Sequence, residues 1–354
     1  MDNSSIYQRL ETLYKEKDLW IDPYDSEDYD NKYIRKIIKV LLYFMPNMLY
    51  KSNMLKSHIW AENFELLGKC YLKLGDISKA EDIYCDLINL SQKKYFWGLP
   101  IDWKSGKYIF PKGSMMSTTT AEIALYFLEL KKHSNVVTND VLKYIAYNLL
   151  KGLNTVYEDE KKLILGYTSY DTYRINNSNL LVAAALYEIG KSLDDKSLIV
   201  SSIKITNACI NGISDNGGIP YFMNGDKYDS YHQVFSLKAL YILKEESLIY
   251  ENTFNKSINF LKNYLMDDSG NVYLTPKKDI IDMQGATEAL SFFQLINDEE
   301  MINKIIKQIE LNLKKNNKYI QRNWTKYILP IKSRTIFTRQ GELRLLLCMI
   351  NNEV

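Results

Sequence analysis

Tyr228-Asp229-Ser230-Tyr231-His232 is the densest knot of reactive side chains in the chain. It sets a carboxylate and two phenols beside His232, one of 3 histidines among 354 residues. An imidazole exchanges protons near neutral pH, and a carboxylate that orients it makes a general acid–base pair. Asp229 has a second possible employment, capping the helix that follows by accepting its first backbone N–H groups. Asp282 and Gln284 open a later segment, with Glu288 one turn on. Such carboxylate and amide groups suit sugar hydroxyls, although capping explains Asp282 equally well. Asp102 lies between Trp97 and Trp103, an acid beside two aromatic platforms. Asp171 follows Tyr167 and Tyr170 and precedes Asn177 and Asn179. Arg334 and Arg339 are suited to an anionic ligand, or to a salt bridge with one of these acids. The candidate catalytic groups are therefore Asp229, Tyr231, His232, Asp282 and Asp102. The candidate binding groups are Trp97, Trp103, Tyr167, Asp171, Asn177, Asn179, Gln284, Arg334 and Arg339. His58 and His133 lack acidic neighbours in sequence and read as structural.

The elements that position these residues are helical. Apolar residues recur at helical spacing over 31–46, 58–74, 76–93, 116–131, 138–152, 177–190, 194–213, 231–245, 251–266, 283–297, 298–316 and 339–352, with a short further helix over 5–15. Two kinds alternate. Residues 120–130, 179–190 and 232–243 are apolar on nearly every face, as helices buried on all sides must be. Segment 300–315 puts Ile302, Ile305, Ile306 and Ile309 on one face and Lys304, Lys307, Gln308 and Glu310 on the other, a surface helix, and 251–266 reads alike. An aromatic-polar loop precedes each buried helix, and Trp103, Asp171, Asp229, Asp282 and Arg339 recur at intervals of 53 to 68 residues. That interval accommodates one hairpin of two helices. The expected fold is all-α, about six hairpins closed into inner and outer helix rings, as a single domain over 1–354. All the loop clusters then meet at one mouth. Residues 66–87 resemble one tetratricopeptide repeat, but no second copy follows, so they read as an ordinary hairpin.

Hydrophobic residues make up 46% and charged residues 25%, enough for a large core. The formal net charge of +2 and the absence of a basic run give no sign of a nucleic-acid or membrane partner. The 28 tyrosines exceed what a core needs; they suit stacking on sugar rings, and a compositional bias would produce them equally well. Cys70, Cys85, Cys209 and Cys348 show no CxxC pattern and read as reduced, buried thiols of a cytoplasmic protein. The N-terminus has no signal-peptide pattern, and no apolar run is long enough for a membrane span. No phosphate loop, GxSxG elbow, HExxH or other metal set is present, so no cofactor and no metal are expected.

DPYD (22–25), WGLPIDW (97–103), FPKG (110–113) and Thr118–Thr120 resemble, in order, a group of bacterial and archaeal α/α-toroid proteins that occur with polysaccharide-biosynthesis enzymes. Asn177-Ser178-Asn179-Leu180-Leu181, Asp229-Ser230-Tyr231-His232-Gln233-Val234-Phe235, Ile280-Ile281-Asp282-Met283-Gln284 and Arg339-Gln340-Gly341-Glu342 continue the match over nearly the whole chain. Departures from the group's pattern are Gln233-Val234 in place of Thr-Gly, Gln340 in place of Trp, and no His after Asp282. The resemblance implies an α/α toroid akin to six-hairpin glycosidases and uronyl epimerases. It further implies a carbohydrate-active enzyme working on an acidic sugar or surface-glycan unit by acid–base chemistry, as epimerase, lyase or hydrolase. The rival expectation is a non-catalytic toroid that holds a glycan or a partner protein. A terpene-cyclase-like toroid is a third, weakened by the missing DxDD pattern.

Overall fold

The computed structural model describes residues 2–16, 20–327 and 329–350. Six helices form an inner ring: α4 (Ala61–Lys73), α6 (Ser117–Lys131), α8 (Asn176–Leu193), α10 (Ser230–Leu243), α12 (Met283–Leu295) and α14 (Leu343–Met349). Each packs on the next, and α14 packs on α4 to close the circle. Among them, α6, α8 and α10 hold the segments that are apolar on nearly every face. In α8 the run Asn176–Tyr187 is buried throughout, because its neighbours and its outer partner cover every side.

The outer ring is α1 (Asn3–Lys15), α5 (Ile77–Leu90), α7 (Asn139–Tyr147), α9 (Lys196–Ile210), α11 (Leu248–Phe260) and α13 (Glu299–Asn312). These are amphipathic; α13, for example, buries Ile302, Ile305 and Ile309 and turns its charges outward. Asp76, Asp195, Ser247 and Asp298 cap α5, α9, α11 and α13 by accepting first-turn N–H groups. The termini join in the sixth hairpin. Tyr7 donates to Asp76 at 2.8 Å, and Arg9 pairs with Glu342 at 2.6 Å, so α1 fills the outer place beside α14. One continuous apolar core runs from Ile6 to Ile350. Its helices approach closely: a Cβ on Gly68 of α4 would lie 2.3 Å from the Tyr126 ring of α6.

Two expectations need correction. The segment predicted over 31–46 is not part of the ring. It forms α2 (Lys32–Phe44), followed by α3 (Pro46–Lys51), and packs on its own small core of Ile38, Leu42, Tyr43, Leu49, Leu55 and Phe337. The sixth outer helix is instead the short N-terminal one. Cys85 is exposed rather than buried, since it sits on the outer face of α5, whereas Cys70, Cys209 and Cys348 are buried as expected.

The aromatic-polar loops are more ordered than the sequence suggested. Several fold into short antiparallel pairs: β1 (Trp103–Ser105) with β2 (Tyr108–Phe110), β3 (Thr155–Glu158) with β4 (Leu163–Leu165), and β6 (Lys314–Lys315) with β7 (Lys318–Tyr319). β5 (Ile280–Asp282), β8 (Arg322–Trp324) and β9 (Ile331–Lys332) make a three-stranded sheet in which Asp282 lies opposite Arg322.

Candidate active site at the mouth of the ring

The first turns of all six inner helices, or the residues just before them, line one cavity of about 920 Å³. They contribute Glu62 (α4), Thr118 and Glu122 (α6), Asn177 (α8), Tyr231, His232 and Phe235 (α10), Gln284 (α12), and Arg339, Gln340 and Arg344 at the start of α14. The parallel arrangement of the inner helices dictates this convergence, and it points six positive helix ends the same way. Tyr24, Tyr43, Trp103, Tyr167, Tyr221 and Trp324 add aromatic walls.

Asp229 and His232 meet as their spacing allows. Asp229 Oδ1 accepts the His232 backbone N–H at 2.9 Å, capping α10, while Oδ2 lies 2.6 Å from His232 Nδ1. Capping and orienting are thus done by the two oxygens of one carboxylate. His232 Nε2 has no hydrogen-bond partner among the described residues, and the ring lies against Tyr221 with centroids 4.6 Å apart. Burial works against the Asp229 charge, but the His232 ring and the backbone N–H groups of the first turn outweigh it and hold the carboxyl below its ordinary range. The Tyr231 hydroxyl lies 3.5 Å from Arg344 Nη2. Burial pushes that phenol well above its ordinary range, with Arg344 opposing, so it is a proton donor rather than a phenolate at neutral pH.

The arginines are held by acids that the sequence did not connect to them. Arg339 Nε donates to Asp22 at 2.9 Å and Nη2 donates to the same carboxylate at 3.3 Å, with Nη1 3.5 Å from Glu62. Its guanidinium lies over Trp60 at 4.3 Å and Tyr24 at 5.2 Å. Burial drives Asp22 up to about 6 against the pull of Arg339. Arg344 pairs with Glu288 and donates to the Arg339 carbonyl. Arg322 Nε donates to Asp282 at 2.6 Å and the guanidinium covers Tyr43 at 4.9 Å.

The other candidates divide. Trp103, Tyr167, Asn177 and Gln284 line the cavity; Tyr167 exchanges a hydrogen bond with Thr118 at 3.0 Å. Asp282 caps α12 and neutralises Arg322, so its carboxylate is committed on both sides. Asp102 does not join the cavity: it is exposed and accepts the Lys112 N–H at 2.7 Å, bracing the β1–β2 hairpin. Trp97 is no stacking wall either, being buried with its indole N–H on the Leu87 carbonyl. Asp171 is buried and closes its own loop by accepting from Tyr167, Thr168 and Tyr173. Asn179 is spent on the Leu165 backbone, and Arg334 is exposed beyond the cavity. Asp102 and Asp171 sit in cluster-bearing loops that their own side chains brace from within.

Several lining residues escaped the sequence reading. Glu122 and Glu62 lay inside apolar helices with nothing beside them to mark a site. Burial and the neighbouring Glu65 charge raise Glu122 to about 8, with Arg344 opposing. Glu122, Phe235 and Arg344 also border a second cavity of about 860 Å³ that opens along the C-terminal halves of the inner helices. Tyr24 was signalled by the DPYD motif, whose Asp22 and Asp25 form a capping box around Pro23. His58 proves to have acidic neighbours after all, Asp25 at 3.0 Å and Asp28 at 3.5 Å, brought together by tertiary folding.

No protein-family model matches the sequence, and no curated protein matches it. Solved structures do. A protein from Listeria innocua superposes with a TM-score of 0.60 at 15% identity, over 98% of this chain and 97% of that one. The cellobiose 2-epimerase of Bacillus thermoamylovorans B4167 gives 0.57 at 12% identity, over 81% and 85%. A family 76 α-mannanase of Bacteroides thetaiotaomicron gives 0.57 at 11%, over 83% and 85%. The fold is accordingly an α/α toroid, shared with these structures at low sequence identity.

Proposed function

We propose that this toroid is a carbohydrate-acting enzyme that moves a proton on a sugar bearing an acidic group, with His232 as the base. One observation carries the reading: His232 lines the cavity with Nδ1 tied to Asp229, leaving Nε2 as the free nitrogen inside a basin of aromatic rings. The carboxylate fixes the tautomer and stabilises the imidazolium that forms on proton uptake. Tyr231 supplies the complementary acid, because Arg344 is placed to stabilise the phenolate left by donation. In the reaction, His232 takes a proton from a carbon next to a carbonyl or carboxyl. The electron pair shifts onto that group's oxygen, and a proton returned to the opposite face gives the epimer. Trp103, Tyr167 and Tyr221 offer flat faces to pyranose rings.

Two features support an acidic substrate. Lys36 and Lys39 line the cavity and form no ion pair among the described residues, while Arg322, Arg339 and Arg344 are already matched by Asp282, Asp22 and Glu288. The six inner helix starts add further positive potential. A carbohydrate role is also in keeping with the cellobiose epimerase and the mannanase among the structural neighbours. Asp229 and Asp282 are poor candidates for the carboxylate pair of a hydrolase, since each is bound to a cationic or imidazole partner.

The test is incubation with uronic-acid-containing and neutral oligosaccharides in heavy water, followed by NMR and mass spectrometry. Deuterium at carbon with the wild type, abolished in His232→Asn, is the expected result. An unsaturated product would place the same proton removal in an elimination. New reducing ends without carbon-bound deuterium, or no change across the panel, would overturn the proposal.

A further inference from the structure

We propose that α2 docks the protein on an anionic lipid surface and so sets the mouth of the ring against a membrane. One flank of α2 is consumed by packing: Ile38, Leu42 and Tyr43 join Phe337 in the small core. The opposite flank is bare. Tyr33 is 74% exposed, Ile37 59% and Val40 57%, with Ile34 beside them. Their spacing of three and four residues puts them on one stripe, which Met45 and Met48 prolong past the end of the helix. Large apolar side chains left contiguous and uncovered mark an interaction surface.

Charge decides what covers the stripe. From Asn31 to Trp60 the chain carries Lys32, Arg35, Lys36, Lys39, Lys51 and Lys56 and not one Asp or Glu. Arg35 is spent on Glu27 at 2.9 Å, and Lys39 lies 5.0 Å over Tyr24. Lys32, Lys36, Lys51 and Lys56 are exposed and form no ion pair among the described residues. A second copy of the chain would bring these cations against their own equivalents, so a self-dimer through this face is opposed by its charge. An occupant both apolar and anionic suits this face, and the interfacial zone of an acidic bilayer is both. With 13 residues, α2 is about 20 Å long, too short to cross a bilayer, and lies in the interface plane. No helix of the described residues is long and apolar enough to cross a membrane, which leaves surface docking as the mode.

The placement matters because Lys36, Lys39, Val40 and Phe44 also line the mouth of the cavity. A protein seated on α2 holds that mouth at headgroup level. If the cavity takes a sugar, as proposed above, the sugar it meets there is carried on a lipid or on a polymer at the membrane. The docking itself does not rest on that reading.

Flotation of the whole protein with vesicles separates the two proposals, because it needs no sugar. Phosphatidylcholine vesicles containing about 30% phosphatidylglycerol should carry the protein at low salt, at least tenfold more strongly than phosphatidylcholine alone, and less at 0.5 M salt. Ile37→Glu with Val40→Glu should abolish binding without changing the circular dichroism, both positions being exposed. Lys32→Gln with Lys51→Gln, which leaves the stripe intact, should weaken it by roughly fivefold per cation. No flotation, or equal flotation on neutral vesicles, would overturn the proposal. So would a wild-type dimer that Ile37→Glu dissociates, since the stripe would then belong to a second copy.

Discussion

Glu122→Gln removes a carboxyl group that the inner ring holds at a cost, and the cost has a calculable pH dependence. Glu122 sits in α6 between the two axial cavities, where burial and the Glu65 charge raise it from 4.5 to about 8. The unfolded chain releases this proton near 4.5, whereas the folded protein keeps it until about 8. The folded state therefore binds more protons across that window, and the contribution to stability is fully present below 4.5 and lost as pH rises through 8. At full strength the difference is worth roughly 5 kcal/mol. Glu122 borders two cavities open to solvent and lies near Arg344, so a realised change of about 2 kcal/mol is expected. Glutamine has nearly the same shape and does not titrate. Urea unfolding of the wild type and Glu122→Gln at pH 5.5 and 8.5 isolates the effect, because Asp22 and the other groups away from Glu122 titrate alike in both proteins. The variant should gain about 2 kcal/mol on the wild type between the two pH values. Stability curves that stay parallel over this range would refute the raised carboxyl.

Asp229 does two jobs that two substitutions separate. Asn caps a helix about as well as Asp, so Asp229→Asn should melt close to the wild type yet lose roughly 10²-fold or more of the deuterium exchange. Asp229→Ala should lose the same activity and a further ~1 kcal/mol of stability by thermal melting; an Asp229→Asn protein with full turnover would remove the carboxylate from the mechanism. Asp22→Ala strands the buried Arg339 guanidinium with only Glu62 in reach, a loss of about 3–5 kcal/mol in urea unfolding. Adding Arg339→Met should recover part of that loss, whereas a single Asp22→Ala variant costing under ~1 kcal/mol would show that the pair is not the anchor of the final inner helix.

What could be read along the chain was what depends on near neighbours. Helices such as 179–190 are apolar on every face because each residue meets protein wherever it points, and that pattern marked the inner ring, its partner ring and the recurrence of hairpins. Asp229 and His232 were legible as a pair because three residues along a helix start is also a short distance in space. The outer helix 298–316 was legible for the same reason: its two faces meet different media.

Tertiary structure decided everything that depends on closure. Asp22 and Arg339 are 317 residues apart, and only the meeting of first and last hairpins makes them an ion pair. Arg344 with Glu288 and Arg322 with Asp282 are set by ring and sheet geometry that no local spacing encodes. Asp102, Asp171 and Trp97 looked like cavity residues because their loops lie at the mouth, but which way a loop side chain turns depends on the backbone groups left to satisfy inside it. Segment 31–46 has the amphipathic pattern of a ring helix, and sequence could not tell a stripe facing a neighbour from one facing outward. A hydrophobic stripe records that burial is favourable; the rest of the fold decides whether a partner is there.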